Sequence, residues 1–345
     1  MNFCKTIPFF FNFALIFFLE NIIFAPLVDT FTIPSDDIHA LTRRSKSYNP
    51  PLVSSSIIIP SAAEIVNLTR FITYSAASYC PNSKTWKCGQ LCDNIPQTTV
   101  ISTFTTKPDF ITNLTKTYLK TNDTEAYAVI TVNSKDREIV VTFRGTADLG
   151  NILKDIEFIQ WPYAYASTSI PLPSILPGDY VHYGFYTMFL DFQTPIRNNI
   201  STLIKQYPNY QIVVTGHSFG GALALFTALD IKQFFVGINP FLYTYGEPRV
   251  GNSNFASFVN NALSFIRRVI NQAELVPHIP YTLGWIEYVH HKGEIWIANS
   301  AANAAVECLG VENNLCSSSV NEIDWNFDDH FGPYWGIRID ASLCK

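Results

Sequence analysis

Hydrophobic positions along this chain recur with two different periods, and their alternation predicts the architecture. Over residues 61–79, Ile65, Val66, Leu68, Phe71, Ile72 and Tyr79 fall at helical spacing. Ser61 and Glu64 form an S-x-x-E capping box directly after Pro60, which marks a helix start. Residues 126–132 and 138–143 are β-rich runs around the polar turn Asn133-Ser134-Lys135-Asp136, so a hairpin is expected. Residues 185–206 read as mostly helical, with Pro195 expected to bend or break the helix. Gln211-Ile212-Val213-Val214-Thr215 is a short buried strand, and a helix follows from Phe219 to Gln233. Further strands are expected near 242–245, 265–270 and 294–298. Strands alternating with helices indicate an α/β sheet.

Composition narrows the class. The chain has 345 residues, 48% hydrophobic and only 15% charged, which excludes disorder over most of its length. A net charge of −5 offers nothing to a phosphate backbone, so no nucleic-acid partner is expected. At the N-terminus, Lys5 is the only charge before Glu20, and Ile7 to Leu19 is apolar except at Pro8 and Asn12. That run is too short to span a bilayer and suits the core of a signal peptide over residues 1–25. An uncleaved membrane anchor is the alternative; a secreted chain without integral membrane insertion is the expectation. Residues 26–60 lack sustained periodicity, hold five prolines and carry the dibasic Arg43-Arg44. They read as a propeptide or a flexible linker, with the folded domain over 61–345.

Seven cysteines fit the oxidising route. Cys4 would be lost with the signal, leaving Cys80, Cys88, Cys92, Cys308, Cys316 and Cys344. An even count in a secreted chain suggests disulfides. Short local loops favour Cys88–Cys92 and Cys308–Cys316, which leaves Cys80 to meet Cys344. A zinc site using Cys88, Cys92 and a distant histidine is the rival, but no second tight Cys/His pair accompanies them. No metal and no cofactor are expected. Asn67, Asn113, Asn122 and Asn199 head N-x-S/T sequons, acceptors for glycosylation in a secreted chain.

The strongest chemical signal is Gly216-His217-Ser218-Phe219-Gly220, a G-x-S-x-G between an apolar strand and an apolar helix. That strand–turn–helix setting is what a nucleophile elbow requires. The turn is tight enough to force strained angles on the serine, and flanking glycines relieve the crowding. A serine hydroxyl needs a base to take its proton. In this hydrolase class the acid and then the histidine follow the serine in the chain. That order removes His39 and His182, and His217 sits in the sharp turn itself. His278, His290, His291 and His330 all remain, and spacing does not separate them.

Thr215-Gly216-His217-Ser218-Phe219-Gly220-Gly221-Ala222 resembles the elbow of the fungal class 3 lipases, a family of secreted triacylglycerol lipases. Further segments match in the same order: Ser78-Tyr79-Cys80 with Trp86-Lys87-Cys88, then Val141-Thr142-Phe143-Arg144-Gly145-Thr146, then Val181-His182-Tyr183-Gly184-Phe185. They continue with Tyr245-Gly246-Glu247-Pro248-Arg249-Val250-Gly251-Asn252, Glu274-Leu275-Val276-Pro277-His278-Ile279-Pro280, Asp329-His330-Phe331 to Tyr334, and Leu343-Cys344. The resemblance spans Ser61 to Lys345. It implies an α/β-hydrolase-type fold: a central, mostly parallel sheet with flanking helices and a short helical lid. It implies Ser218 as nucleophile, His330 as general base and the same three cysteine pairings. Where the family usually has aspartate this chain has Glu274, one carbon–carbon bond longer, so backbone or ring must shift to accept it. Asp324, Asp328 and Asp329 are rival acids, but they lie too near His330 in sequence to orient it easily. The oxyanion donors are the N–H of Phe219, after the nucleophile, and, by resemblance, Thr146, with Asp155 helping to hold it.

Directly after Thr146, residues 148–159 carry Leu149, Ile152, Leu153 and Ile156 as one apolar helical stripe, with Asp148 able to cap it. By resemblance this is the lid; a plain core-facing helix is the alternative. The expected activity is hydrolysis of glycerol esters by an acyl-enzyme mechanism, in a monomer whose partner is a lipid ester at a lipid–water interface. A soluble carboxylesterase of the same fold, such as a feruloyl esterase, or a phospholipase is the nearest rival. A polar lid would favour the feruloyl esterase, and this one is apolar. A non-catalytic secreted binding protein is disfavoured, because Ser218, His330 and an acid at 274 are all retained.

Overall fold

The computed structural model describes residues 57–106, 126–145, 159–165, 174–299 and 304–344. Nine strands form one sheet: β1 (Ile57–Ile58), β2 (Thr98–Thr106), β3 (Ala126–Asn133), β4 (Glu138–Arg144), β7 (Gln211–His217), β8 (Phe241–Tyr245), β9 (Ile266–Asn271), β10 (Glu294–Asn299) and β11 (Ala304–Cys308). A separate hairpin joins β5 (Gln160–Tyr165) to β6 (Ser174–His182). The sheet order is β1-β11-β10-β9-β8-β7-β4-β3-β2. Strands β4, β7, β8, β9 and β10 run parallel at the centre, and antiparallel strands flank them on both sides.

Helices cover both faces, which is why the central strands read as unbroken apolar runs rather than alternating ones. On β4, Ile139, Val141 and Phe143 join a core with α3 (Tyr183–Gln206) and α4 (Phe219–Phe234). Val140, between them, faces the other way and packs with Leu68, Phe71 and Ile72 of α1 (Ala62–Ala77). Helix α4 is buried from Gly220 to Ile231, because it lies in the larger of these cores. Two short helices, α2 (Gln90–Asp93) and α5 (Ser253–Ala262), complete the α-helices among the described residues. Disulfides join Cys80 to Cys344, Cys88 to Cys92 and Cys308 to Cys316. No helix among the described residues is long and apolar enough to cross a membrane.

Several expectations need correction. Ile57 and Ile58, assigned to the segment before the domain, pair with Cys308 and Glu307 at the edge of the sheet. Val66 was counted with the buried face of α1, but it is exposed; the buried stripe is Leu68, Phe71 and Ile72. Half of the capping box forms. Ser61 Oγ accepts the N–H of Glu64 at 3.2 Å, while the Glu64 carboxylate turns away to Arg267 on β9. Pro195 does not divide α3, whose single span runs through it. Pro195 lacks the N–H that would reach the Asp191 carbonyl one turn back, and Asp191 lies at an exposed position. The periodicity missed α5, the β5–β6 hairpin, the edge strand β2 and the short strand β11, which lies between β1 and β10.

Candidate active site

Ser218 sits between β7 and α4 with φ 60° and ψ −134°. A non-glycine residue in that region carries roughly 1–3 kcal/mol of strain and persists only where its surroundings impose it. Here they do. The Ser218 N–H donates to the Tyr245 carbonyl at 2.8 Å, and the Gly221 N–H donates to the Ser218 carbonyl at 2.8 Å. The flanking glycines are required by close approach. A Cβ at Gly216 would collide with the Gly220 backbone, and one at Gly220 would stand 2.6 Å from the Phe143 carbonyl oxygen. The first N–H groups of α4, beginning at Phe219, have no intrahelical partner and carry the positive end of the helix dipole.

Glu274 follows β9 across a short turn. Its Oε1 accepts the Asn271 N–H at 2.5 Å. Its Oε2 accepts the Tyr334 hydroxyl at 2.9 Å and stands 2.6 Å from His330 Nδ1. Because Nδ1 faces a carboxylate, it carries the hydrogen, and Nε2 keeps its lone pair. Glu274 and His330 are both fully buried. Gly246, at the end of β8 with φ 57°, makes room for them: a Cβ there would lie 2.5 Å from His330 Cε1 and 2.6 Å from Glu274 Oε2. His330 Nε2 and Ser218 Oγ are buried and neither has a hydrogen-bond partner among the described residues. Catalytic hydrogen bonds are often open in the absence of substrate.

The rival acids do other things. Asp329 accepts from Gln272 Nε2 and from the Ala273 N–H, both at 3.2 Å, and its own carbonyl accepts Asn271 Nδ2 at 2.8 Å. It therefore laces the turn bearing His330 to the turn bearing Glu274. The Asp328 N–H donates to Asn326 Oδ1, ordering the same loop. The rival histidines are also placed. His278 stacks on Trp325 at 4.7 Å, His290 Nε2 bonds the Pro277 carbonyl at 2.7 Å, and His291 Nε2 meets Glu247 Oε1 at 3.1 Å. His217 Nε2 donates to the His330 carbonyl at 2.8 Å, while its Nδ1 lies 2.9 Å from the Tyr79 hydroxyl.

Burial sets the electrostatics. It holds the His330 imidazole down at about 3, so the ring is neutral at ordinary pH and free to take a proton at Nε2. Burial pushes Glu274 upward, opposed by the Asn271 N–H, the Tyr334 hydroxyl and the Arg268 charge. Asp329 is raised to about 7, first by burial and then by the neighbouring Glu274 and Asp328 carboxylates.

A strained buried serine, a buried carboxylate–histidine pair and a helix N-terminus at one end of a parallel sheet are the parts of an acyl-transfer site. Residues 140–284 match the family model described as lipase (class 3). A lipase of Rhizomucor miehei is 32% identical over 299 residues, covering 85% of this chain and 74% of that protein. The chain belongs to the class 3 lipase family. The "secreted mono- and diacylglycerol lipase 2" of Gibberella zeae is 25% identical over 312 residues, covering 81% of this chain and 74% of its own length. A solved triacylglycerol lipase, whose catalytic centre is described as a serine protease triad, superposes with a TM-score of 0.70 at 31% identity. It covers 84% of this chain and 100% of that one. The protein is thus a lipase, a carboxylic ester hydrolase on an α/β-hydrolase fold.

The structure of this lipase brings Ser218, Glu274 and His330 to one end of the sheet, with Phe219 beside the serine. Thr146, Asp155 and the stripe Leu149, Ile152, Leu153 and Ile156 lie outside the described residues, as do Asn113, Asn122 and residues 1–56. Sequence reading missed the partners Asn271 and Tyr79, the clamp made by Asp329, and the reason for Gly246. Tyr334 lay at the edge of a matched motif without a role. Asn271 acts on Glu274 through a backbone N–H, which residue type does not mark, and Tyr79 reaches His217 from another helix end, a contact only the fold reveals.

Proposed function

We propose that this lipase hydrolyses triacylglycerols through a Ser218–His330–Glu274 triad. The observation that carries the reading is the buried Glu274–His330 pair with Nε2 unpartnered, at the strand ends where the strained Ser218 stands. His330 Nε2 takes the hydroxyl proton as Ser218 Oγ attacks the ester carbonyl. Glu274 fixes the tautomer and stabilises the imidazolium that forms. The longer side chain is accommodated because Gly246 leaves space for its carboxylate and two donors besides His330 hold it. Charge on the tetrahedral oxygen falls to the Phe219 N–H, with Thr146 as second donor. The protonated imidazole then gives its proton to the departing glycerol oxygen, and water repeats the cycle on the acyl-enzyme.

Acylglycerol substrates are supported by the names of the relatives, and the lipid–water interface by the apolar stripe at 149–156 read as a lid. In this reading the enzyme is a secreted monomer with a leader over 1–25 and a propeptide or linker over 26–60. Its sequons at Asn67, Asn113, Asn122 and Asn199 are the glycan acceptors. A serine-directed phosphonate tests the nucleophile: Ser218 is labelled alone, and labelling elsewhere with Ser218 free refutes the triad. Rate against concentration of a short-chain triglyceride tests the substrate. The rate should step upward as the solubility limit is passed. A smooth hyperbola with good turnover of small phenolic esters would instead indicate the soluble esterase.

A further inference from the structure

Two elements beside the triad present large apolar side chains to solvent. The turn at 281–286 exposes Leu283 and leaves Trp285 91% accessible, while the β5–β6 hairpin exposes Ile159, Trp161 and Tyr180. The turn is held by its own backbone. The Leu283 N–H donates to the Ile286 carbonyl at 2.9 Å and the Ile286 N–H returns to Leu283 at 3.0 Å, with Gly284 at φ 60°. Its stem is braced as well, since Arg249 NH1 donates to the His278 and Pro280 carbonyls at 2.5 and 3.3 Å. Trp285 is therefore projected by an ordered turn.

Hairpin and turn are bonded to each other. Gln160 Nε2 donates to the Glu287 carbonyl at 2.5 Å, and the Tyr288 hydroxyl donates to the Ile159 carbonyl at 3.3 Å. The rim they make leads back to the serine. Trp161 packs on Tyr183 at 5.5 Å, and Phe185, two residues further along α3, meets Phe219 at 5.5 Å. On the other side, the 281–286 turn follows directly from the Glu274–Pro280 segment. Residues 159–165 and 280–286 contain no charged residue. Exposed tryptophan without charge suits a surface that is apolar on one side and wet on the other, where indole rings settle at the boundary. A nucleic acid would need cations here, and a polar protein partner would need a hydrogen-bonding rim.

We infer that this aromatic rim is a fixed docking surface for a lipid–water interface, seating the mouth of the site on lipid whatever residues 146–158 do. The inference rests on the lipase reading above and goes beyond it, because it assigns interfacial attachment to residues outside both triad and lid. The test compares the full chain with Leu283→Ser/Trp285→Ser by sedimentation with sucrose-loaded phosphatidylcholine vesicles. Turnover is followed in parallel on a dissolved short-chain ester and on emulsified tributyrin. The double variant should lose about tenfold or more in vesicle partitioning, the scale expected for two large apolar side chains leaving an apolar contact. Its melting temperature and its turnover of the dissolved ester should match the parent. Trp285→Phe, which keeps an apolar ring, should retain most of the binding, and Trp161→Ser should lose part of it. Equal partitioning of double variant and parent overturns the rim. So does a parent dimer that the double variant abolishes while vesicle binding persists. If the parent turns over the emulsion and the double variant does so equally well, the rim fails and the lipase reading stands. If the parent hydrolyses the dissolved ester but not the emulsion, the substrate reading fails, and vesicle partitioning alone judges the rim.

Discussion

Two buried carboxylates in this molecule hold histidines. Glu274 meets His330 at 2.6 Å, and Glu247 meets His291 at 3.1 and 3.3 Å; all four side chains are almost inaccessible. The pairs flank the same residue. Gly246 presses against Glu274 and His330, while Glu247, the next residue, lies under Gly221 of α4 and accepts the Thr244 hydroxyl at 2.5 Å. They differ at the far nitrogen of each ring. His291 Nδ1 lies 2.8 Å from the Lys292 carbonyl, so each of its nitrogens already sits against an oxygen of the protein. His330 Nε2 faces no acceptor among the described residues. A buried acid–histidine pair is thus no catalytic signature by itself. The uncommitted nitrogen and the serine beside it make the difference.

The sharpest way to break this contrast is to remove the groups proposed to react. Ser218→Ala and His330→Ala should each lower kcat on a dissolved ester by roughly 10⁴–10⁶-fold, as removing the serine or histidine of a triad does elsewhere. His291→Ala should leave kcat per folded molecule within severalfold. Glu274→Ala should cost roughly 10³–10⁴-fold while the protein stays folded, and Glu274→Asp should recover much of that loss. Near-normal turnover in Glu274→Ala, with activity abolished by substituting Asp324, Asp328 or Asp329, would reverse the assignment of the acid. Tyr334→Phe removes one charged hydrogen bond from Glu274 and should cost about tenfold in kcat with KM unchanged.

The other pair should respond in stability. Glu247→Ala leaves His291 buried without its carboxylate, and urea unfolding should show a loss of about 3 kcal/mol with kcat per folded molecule preserved. Acid should lower the stability of the fold through its other buried histidines. Burial holds His330 and His278 at about 3 and lowers His217 and His290 as well. In the unfolded chain such groups titrate near 6.5. The unfolded state therefore binds these protons first. The stability from keeping the rings neutral is intact above pH 6.5 and declines as pH falls toward 3, by roughly 1 kcal/mol per pH unit for each ring. Asp329, raised to about 7, works the other way, because the folded chain holds its proton between the ordinary carboxylate range and 7. Glu274 and Glu138, also raised by burial, act in the same sense as Asp329, and three carboxyls against four histidines leave a net loss. Urea midpoints measured from pH 7 down to 4 should fall, and a flat profile would contradict the buried neutral rings.

How much of this was legible in the sequence depends on the range over which each signal acts. The elbow was legible because a tight turn between an apolar strand and an apolar helix is a local event, written in consecutive residues. The alternation of β4, β7 and α4 was readable for the same reason. Spacing could not choose among His278, His290, His291 and His330, since the choice depends on which ring meets which carboxylate across the fold. The family motif around His330 is what distinguishes it from the other three in the sequence. Strand β2 escaped because an edge strand buries little and so carries weak periodicity, while β11, between β1 and β10, is only five residues long. Val66 was misassigned because an apolar residue one step off the stripe is indistinguishable by composition. Asn271 left no signal at all, because its contribution to Glu274 is a backbone N–H that any residue would supply.

The Cys80–Cys344 bond closes a loop of 264 residues, and Ser218, Glu274 and His330 all lie within it. A protease that cuts this chain once between the two cysteines therefore releases nothing. The nicked molecule keeps its mass, runs as a single species on a non-reducing gel and separates into fragments only when a reductant is added. Fragments carrying Ser218 and His330 stay tethered at a high effective concentration even when the cut falls between them. Wherever a protease meets this enzyme, the covalent ring keeps the pieces of a first cleavage together.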